Sequence, residues 1–153
     1  MPKTIKNNKQ SNKLRKTISL KQDKNTTITR KNSHTVRVFL EILNMIKLFH
    51  WKTQSYAQHK ATDALYANLN TNIDKFVEVL IGKSKKRIQM LDKKINLIDP
   101  NNDKEFKTKI YEYREFLINL DKGLNKKRDT DLISIRDDIL VDINQFLYLM
   151  TFA

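Results

Sequence analysis

Apolar residues return every three or four positions in four separate stretches of this 153-residue chain. That period commits each stretch to one face of an α-helix. Val36, Phe39, Leu43, Ile46 and His50 line the first, with Ser33 or Thr35 placed to cap it. Ala61, Leu65, Leu69, Ile73, Phe76 and Leu80 line a second, predicted from about Ser55 to Leu80, and Gly82 stands just past its end. Phe106, Ile110, Tyr113, Leu117, Leu120 and Leu124 mark a third from about Asp103 to Asn119 or beyond, with Asn102 or Asp103 as cap and Gly123 near its stop. A fourth, capped by Asp129, is predicted from Thr130 to about Met150, its stripe Leu132, Ile135, Ile139, Ile143, Phe146 and Met150.

The connections order these helices. The first two are joined tightly, and so are the last two, so each pair is predicted to be antiparallel. Between the pairs lies a long connection, Lys83 to Asn102, that holds Arg87, Lys93, Lys94 and Pro100. Two tight hairpins joined by one long crossover are the layout of the ferritin-like four-helix bundle, so the expected fold is all-α, with the bundle over residues 35–153. Other classes fall away. The chain has no Cys, which excludes a disulfide scaffold or a Cys zinc site. Its two Gly residues cannot build a Gly-rich phosphate loop. No uncharged apolar run approaches the ~18–20 residues of a membrane span. The N-terminus lacks the apolar core of a secretory signal, and no Ser sits on a recognisable nucleophile turn.

Charge divides the chain. Residues 1–37 contain eleven Lys or Arg and one acid, Asp23, whereas the remainder is nearly balanced. The segment is also poor in apolar residues and rich in Asn, Thr, Ser and Gln, so residues 1–34 are predicted to be a disordered arm. Lys3, Lys6, Lys9, Lys13, Arg15, Lys16, Lys21, Lys24, Arg30 and Lys31 are its candidate nucleic-acid contacts, each releasing counterions where it meets a phosphate. A solubility tail or an anionic surface contact are the other readings of such charge. The arm has no aromatic residue, so any nucleic acid is bound by charge and without sequence choice.

The second helix carries a second face. At about 100° per residue from His59, Asp63, Asp74 and Glu78 fall within about 100°, while the core stripe falls between about 200° and 320°. Tyr66, Val77 and Ile81 share the acids' side, and a helix with two apolar faces has two burial partners. Asp63 and Asp74 stand about 16 Å apart along the axis, too far to hold one metal ion. Two such helices, antiparallel across a two-fold axis near Asn68 and Leu69, would bring His59 and Asp63 of one chain to Asp74 and Glu78 of the other. Such mixed nitrogen and oxygen ligands suit iron, zinc or manganese. A solvated charged face is the plain alternative, and a hydrogen-bonded core histidine is the plain reading of His50.

At these residues the chain resembles the Dps family, the mini-ferritins known as DNA-binding proteins of starved cells. Phe49-His50-Trp51 is followed by His59, Asp63, Asp74 and Glu78, and from His59 onward their steps of 4, 11 and 4 residues match the family's pattern without a gap. Over the last helix the resemblance is one of character only. The segment Lys52 to Gln58 is shorter than in most members and lacks glycine. The resemblance implies a ferroxidase site, di-iron or mononuclear, between two-fold-related chains, with His50, His59 and Asp63 from one and Asp74 and Glu78 from the other. It implies peroxide as oxidant, storage of ferric mineral, a homodimer across the second helix and a twelve-subunit shell. It implies that Trp51 intercepts stray oxidising equivalents, where plain packing is the alternative, and that the arm binds DNA. A cytoplasmic or nucleoid-associated setting is implied, with no membrane partner; the chain is also similar to Dps-like proteins of large DNA viruses, for which a virion is the setting. Two rivals stand beside this: a Dps-shaped DNA-packaging protein without iron chemistry, and a basic helical interaction protein that binds no metal.

Overall fold

The periodic stretches are helical. In a computed structural model, which describes residues 5–152 and, Ile18 and Leu20 excepted, the side chains from Lys16 to Phe152, α1 spans Ile5–Lys52, α2 Tyr56–Ser84, α3 Asp103–Leu120 and α4 Thr130–Leu149. A 3-10 turn, Asp121–Gly123, follows α3, and no strand occurs among the described residues. The protein is therefore all-α. None of its described helices is long and apolar enough to cross a membrane.

Ring contacts and ion pairs fix the helix directions. Phe49 stacks on Phe106 at 3.8 Å, and Phe39 meets Phe116 edge-on, so α3 runs opposite to α1. Lys107 reaches the Met150 carbonyl at 3.0 Å, and Lys83 reaches Asp131 at 2.8 Å, so α4 runs opposite to α3 and α2. The connection from α2 to α3 lies along α1. Leu91 N–H donates to Ser33 Oγ at 3.0 Å, Asn96 N–H to the buried Glu41 at 3.3 Å, and Lys52 to Asp99 at 2.7 Å. Met45, Ile46, Leu69, Phe106, Ile110 and Ile143 are fully buried, and they come from all four helices. Burying each such side chain contributes about 1.5–3 kcal/mol. Beside Glu41, burial pushes the Tyr113 hydroxyl well above the usual phenol range, so it stays protonated.

Four sequence expectations change. Residues 5–34, read as a disordered arm, continue α1, and no helix starts behind Ser33 or Thr35. No Gly or Pro interrupts the chain between Pro2 and Gly82. Thr26 and Thr27 bond the carbonyls four residues back, so they do not break the helix. Among the described side chains the first buried one is Ser33; from Lys16 to Asn32 they are exposed or half-buried. The predicted stripe of the first helix is one edge of a wider buried face, which adds Val38, Ile42, Met45 and Phe49. Gly82 lies inside α2, whose C-cap is Lys85; that residue takes φ 54° and donates its N–H to the Ile81 carbonyl at 2.8 Å. Asp129 precedes α4 without capping it, because its carboxylate accepts the Asn125 N–H at 2.8 Å and faces Lys83 at 3.3 Å.

The start of α3 follows its sequence signal. Asn102 Oδ1 accepts the Glu105 N–H at 3.0 Å, and Glu105 accepts the Asn101 N–H at 2.9 Å. The Asn101 backbone bond, then its side-chain bond, hold the Glu105 carboxyl below its usual range. Any stability from that shift is present above the ordinary carboxylate range and is lost as pH falls through the lowered value. Asn102→Ala is expected to cost about 1 kcal/mol in chemical denaturation. An unchanged midpoint would contradict the cap.

Candidate metal centre

His50 ends the buried part of α1 and His59 stands in the first turn of α2. A three-residue turn, Thr53 to Ser55, brings them together. Polar side chains build that turn. Ser55 Oγ caps α2 by accepting the Gln58 N–H, Thr53 Oγ1 accepts the Ser55 N–H, and Gln58, itself buried, donates to Asp103 at the start of α3.

The two imidazoles stack with centroids 3.9 Å apart and planes 25° from parallel. Each is anchored to the other's backbone. His50 Nδ1 lies 3.1 Å from the His59 carbonyl, and His59 Nδ1 lies 3.1 Å from the His50 carbonyl. A carbonyl oxygen only accepts, so each Nδ1 donates its proton, and in the neutral form of such a ring the lone pair is on Nε2. That is the arrangement in which metal-binding histidines are held. It also satisfies a carbonyl in the last turn of α1, which has no partner within its own helix. Thr62 Oγ1, fully buried, lies 3.2 Å from His50 Nδ1 and bonds the Gln58 carbonyl at 2.7 Å. His50 is 7% exposed, whereas His59 is open to solvent.

Asp63, Asp74 and Glu78 are exposed on the outer side of α2, and no hydrogen bond or ion pair from another described residue engages them. Asp63 follows His59 by one turn; Asp74 and Glu78 lie farther along the helix. Among the described residues of one chain, no three His, Cys, Asp or Glu side chains gather closely enough to hold a metal ion. The structure thus brings His50 to His59, and among the described residues no acid completes a three-ligand cluster with them.

An amphipathic band flanks these residues. Tyr66 and Val77 are half-buried against the core, and Ile81 is half-buried. Lys47 of α1 stands over the Tyr66 ring at 4.7 Å and 5.8 Å from the Trp51 ring. Trp51 is 68% exposed, so core packing is not its role in the single chain. Lys47, Gln58 and Thr62 were not singled out from the sequence. Gln58 and Thr62 carried a signal: both are polar at angles that belong to the core stripe of α2.

Of the candidate nucleic-acid contacts, Lys16, Lys21, Lys24, Arg30 and Lys31 are exposed. Lys3 and the side chains of Lys6, Lys9, Lys13 and Arg15 lie outside the described residues. Residues 50–150 match a family described as a family of unknown function (DUF5856). No curated protein and no solved structure matches the chain.

Proposed function

We propose that this chain, which belongs to the DUF5856 family, is a Dps-like mini-ferritin with a ferritin-like four-helix bundle. It oxidises Fe(II) with hydrogen peroxide at sites shared between two copies, stores the ferric product, and binds DNA through its basic N-terminal segment. The observation that carries the reading is the reciprocally anchored pair His50 and His59, whose Nδ1 atoms are engaged while no hydrogen bond from a described residue engages Nε2. The exposed acids one turn and several turns along α2 supply the carboxylates. The run of the α2–α3 connection along α1 supports the crossover of a ferritin-like bundle.

In this reading two copies pack α2 against α2 in opposite directions. His59 and Asp63 of one then face Asp74 and Glu78 of the second copy, and Fe(II) enters as substrate between them. Neutral imidazole and carboxylate suit Fe(II), and the carboxylates favour Fe(III) more, so the site drives the iron toward oxidation. Peroxide takes one electron from each of two Fe(II) ions; its O–O bond breaks, and two protons complete two waters. Trp51, exposed in the single chain and close to Lys47, borders the same surface. A twelve-subunit shell would hold the mineral.

The test is stopped-flow absorbance. Protein loaded with Fe(II) without oxygen and mixed with peroxide is expected to form ferric species faster than iron in buffer. Traces no faster than buffer would overturn the ferroxidase reading and favour the second one, a Dps-shaped DNA-packaging protein without iron chemistry. The short segment Lys52 to Gln58 and the 7% exposure of His50 are the observations on that side. Deleting residues 2–33 is expected to leave iron oxidation unchanged and to remove most of the affinity for duplex DNA in electrophoretic shift assays. Loss of both activities together would contradict this division of labour.

A further inference from the structure

Three basic segments, remote in sequence, meet at one end of the helices. The first is α1 from Lys16 to Lys31, where Lys16, Lys21, Lys24, Arg30 and Lys31 are exposed against the single acid Asp23. The second is Lys85-Lys86-Arg87, just past α2; all three are exposed, and no acid lies between Glu78 and Asp92. The third is the α3–α4 junction, where Lys122, Lys126, Lys127 and Arg128 are exposed and no acid lies between Asp121 and Asp129.

Hydrogen bonds hold the segments together. Lys86 Nζ donates to Asn25 Oδ1 at 3.3 Å, which ties the second segment to α1. Lys83 Nζ donates to the Arg128 carbonyl and to Asp131 at 2.8 Å, and it faces Asp129 at 3.3 Å, which ties the end of α2 to the third. Lys83 thereby offsets one of the two charges of Asp129 and Asp131, and the outward Lys122, Lys126, Lys127 and Arg128 leave the segment net positive. The two triads lie in the turn that follows α2 and the turn that precedes α4, outside the N-terminal segment.

We infer that this basic pole, built around Lys85, Lys86, Arg87, Lys126, Lys127 and Arg128, is a second contact surface for the phosphate backbone of duplex nucleic acid, set beside α1. The inference rests on the nucleic-acid half of the proposed function and extends it to residues outside the N-terminal segment. The helical backbone of α1 from Lys16 to Lys31 runs about 22 Å, so it forms a straight cationic edge next to the pole. A duplex carries one negative charge per about 1.7 Å of axis, so it offers phosphates along that whole edge. The choice of duplex over other polyanions comes from what the pole lacks. No Phe, Trp or Tyr occurs in residues 16–37, 83–94 or 119–131, so there is no platform for stacking single-stranded bases. Nor is there an aromatic to anchor in a lipid headgroup layer. The exposed Trp51, Tyr56, Tyr148 and Phe152 sit at the opposite end, beside the α1–α2 turn and the end of α4.

The test is equilibrium binding of the full chain to a labelled duplex of roughly 20 base pairs across a salt series. Two pole variants are compared with the parent: Lys85→Gln with Lys86→Gln and Arg87→Gln, and Lys126→Gln with Lys127→Gln and Arg128→Gln. A control carries Lys60→Gln with Lys104→Gln, which are exposed and lie toward the other end. Each pole variant is expected to flatten the slope of log affinity against log salt by about 1 for every phosphate it no longer neutralises, and the control to leave it unchanged. Far-ultraviolet circular dichroism reports that the variants remain helical. A chain deleted of residues 2–33 is expected to retain weak, salt-sensitive binding that the pole substitutions abolish. Parent-like slopes in both pole variants would overturn the inference while leaving the N-terminal segment as a DNA contact. A parent chain that binds no duplex would remove the nucleic-acid half of the proposed function as well. Pole substitutions that lower binding to phosphatidylserine vesicles and not to duplex would overturn the assignment in favour of a membrane surface.

Discussion

Asp74→Ala is expected to slow peroxide-driven Fe(II) oxidation by at least about 10- to 100-fold, the loss that even outer hydrogen-bond partners of metal ligands produce. The reason lies in where the residue stands. Asp74 is exposed on α2, and among the described residues no ion pair or hydrogen bond engages it. Its removal therefore has no structural cost within one chain, and the folded stability of the single chain should be unchanged. Any loss of activity then reports a role at a surface shared with a second copy. Glu78→Ala, one turn on, should behave the same way. An Asp74→Ala protein that oxidises iron at the parent's rate would show that these carboxylates are a solvated face.

His59 separates two roles that the geometry combines. Its Nδ1–H holds the His50 carbonyl at 3.1 Å, and its Nε2 is the donor left for iron. His59→Ala removes both. It is expected to cost about 1–3 kcal/mol, because a carbonyl at the end of α1 loses its partner, and to abolish iron oxidation. In His59→Asn the side-chain amide stands where Nδ1–H stood, so the tether survives and the Nε2 donor is gone. That variant is expected to recover much of the stability in chemical denaturation and none of the oxidation. If His59→Asn oxidises iron like the parent, the histidine pair is a structural clasp between α1 and α2 only.

The helices were legible because the signals are local. An apolar residue every three to four positions set α2, α3 and α4, and the cap candidates Asn102 and Asp103 marked the start of α3 in the sequence itself. The N-terminal segment was misread because its composition lacks the apolar surface that packing needs. Composition reports burial, however, and the backbone of α1 is helical from Ile5 without it. Gly82 misplaced the end of α2 because nothing in the sequence showed that Lys85 would take the left-handed conformation. The candidate ligands could be named from spacing along one helix. Their second anchors could not, since the bonds between His50, His59 and Thr62 depend on how the turn Thr53 to Ser55 closes. The basic pole was hidden for a similar reason: Lys85 to Arg87 and Lys126 to Arg128 are far apart in sequence and meet through Lys83.

The central claim is that each iron site is shared by two chains. Subunit mixing tests it most directly. Asp63→Ala and Asp74→Ala chains, each inactive alone, are coexpressed in equal amounts. A shared site takes Asp63 from one chain and Asp74 from the other, so random pairing restores both at about a quarter of the sites. The account predicts recovery of Fe(II) oxidation to about a quarter of the parent's rate per chain. No recovery, in mixed assemblies verified to contain both chains, would contradict it.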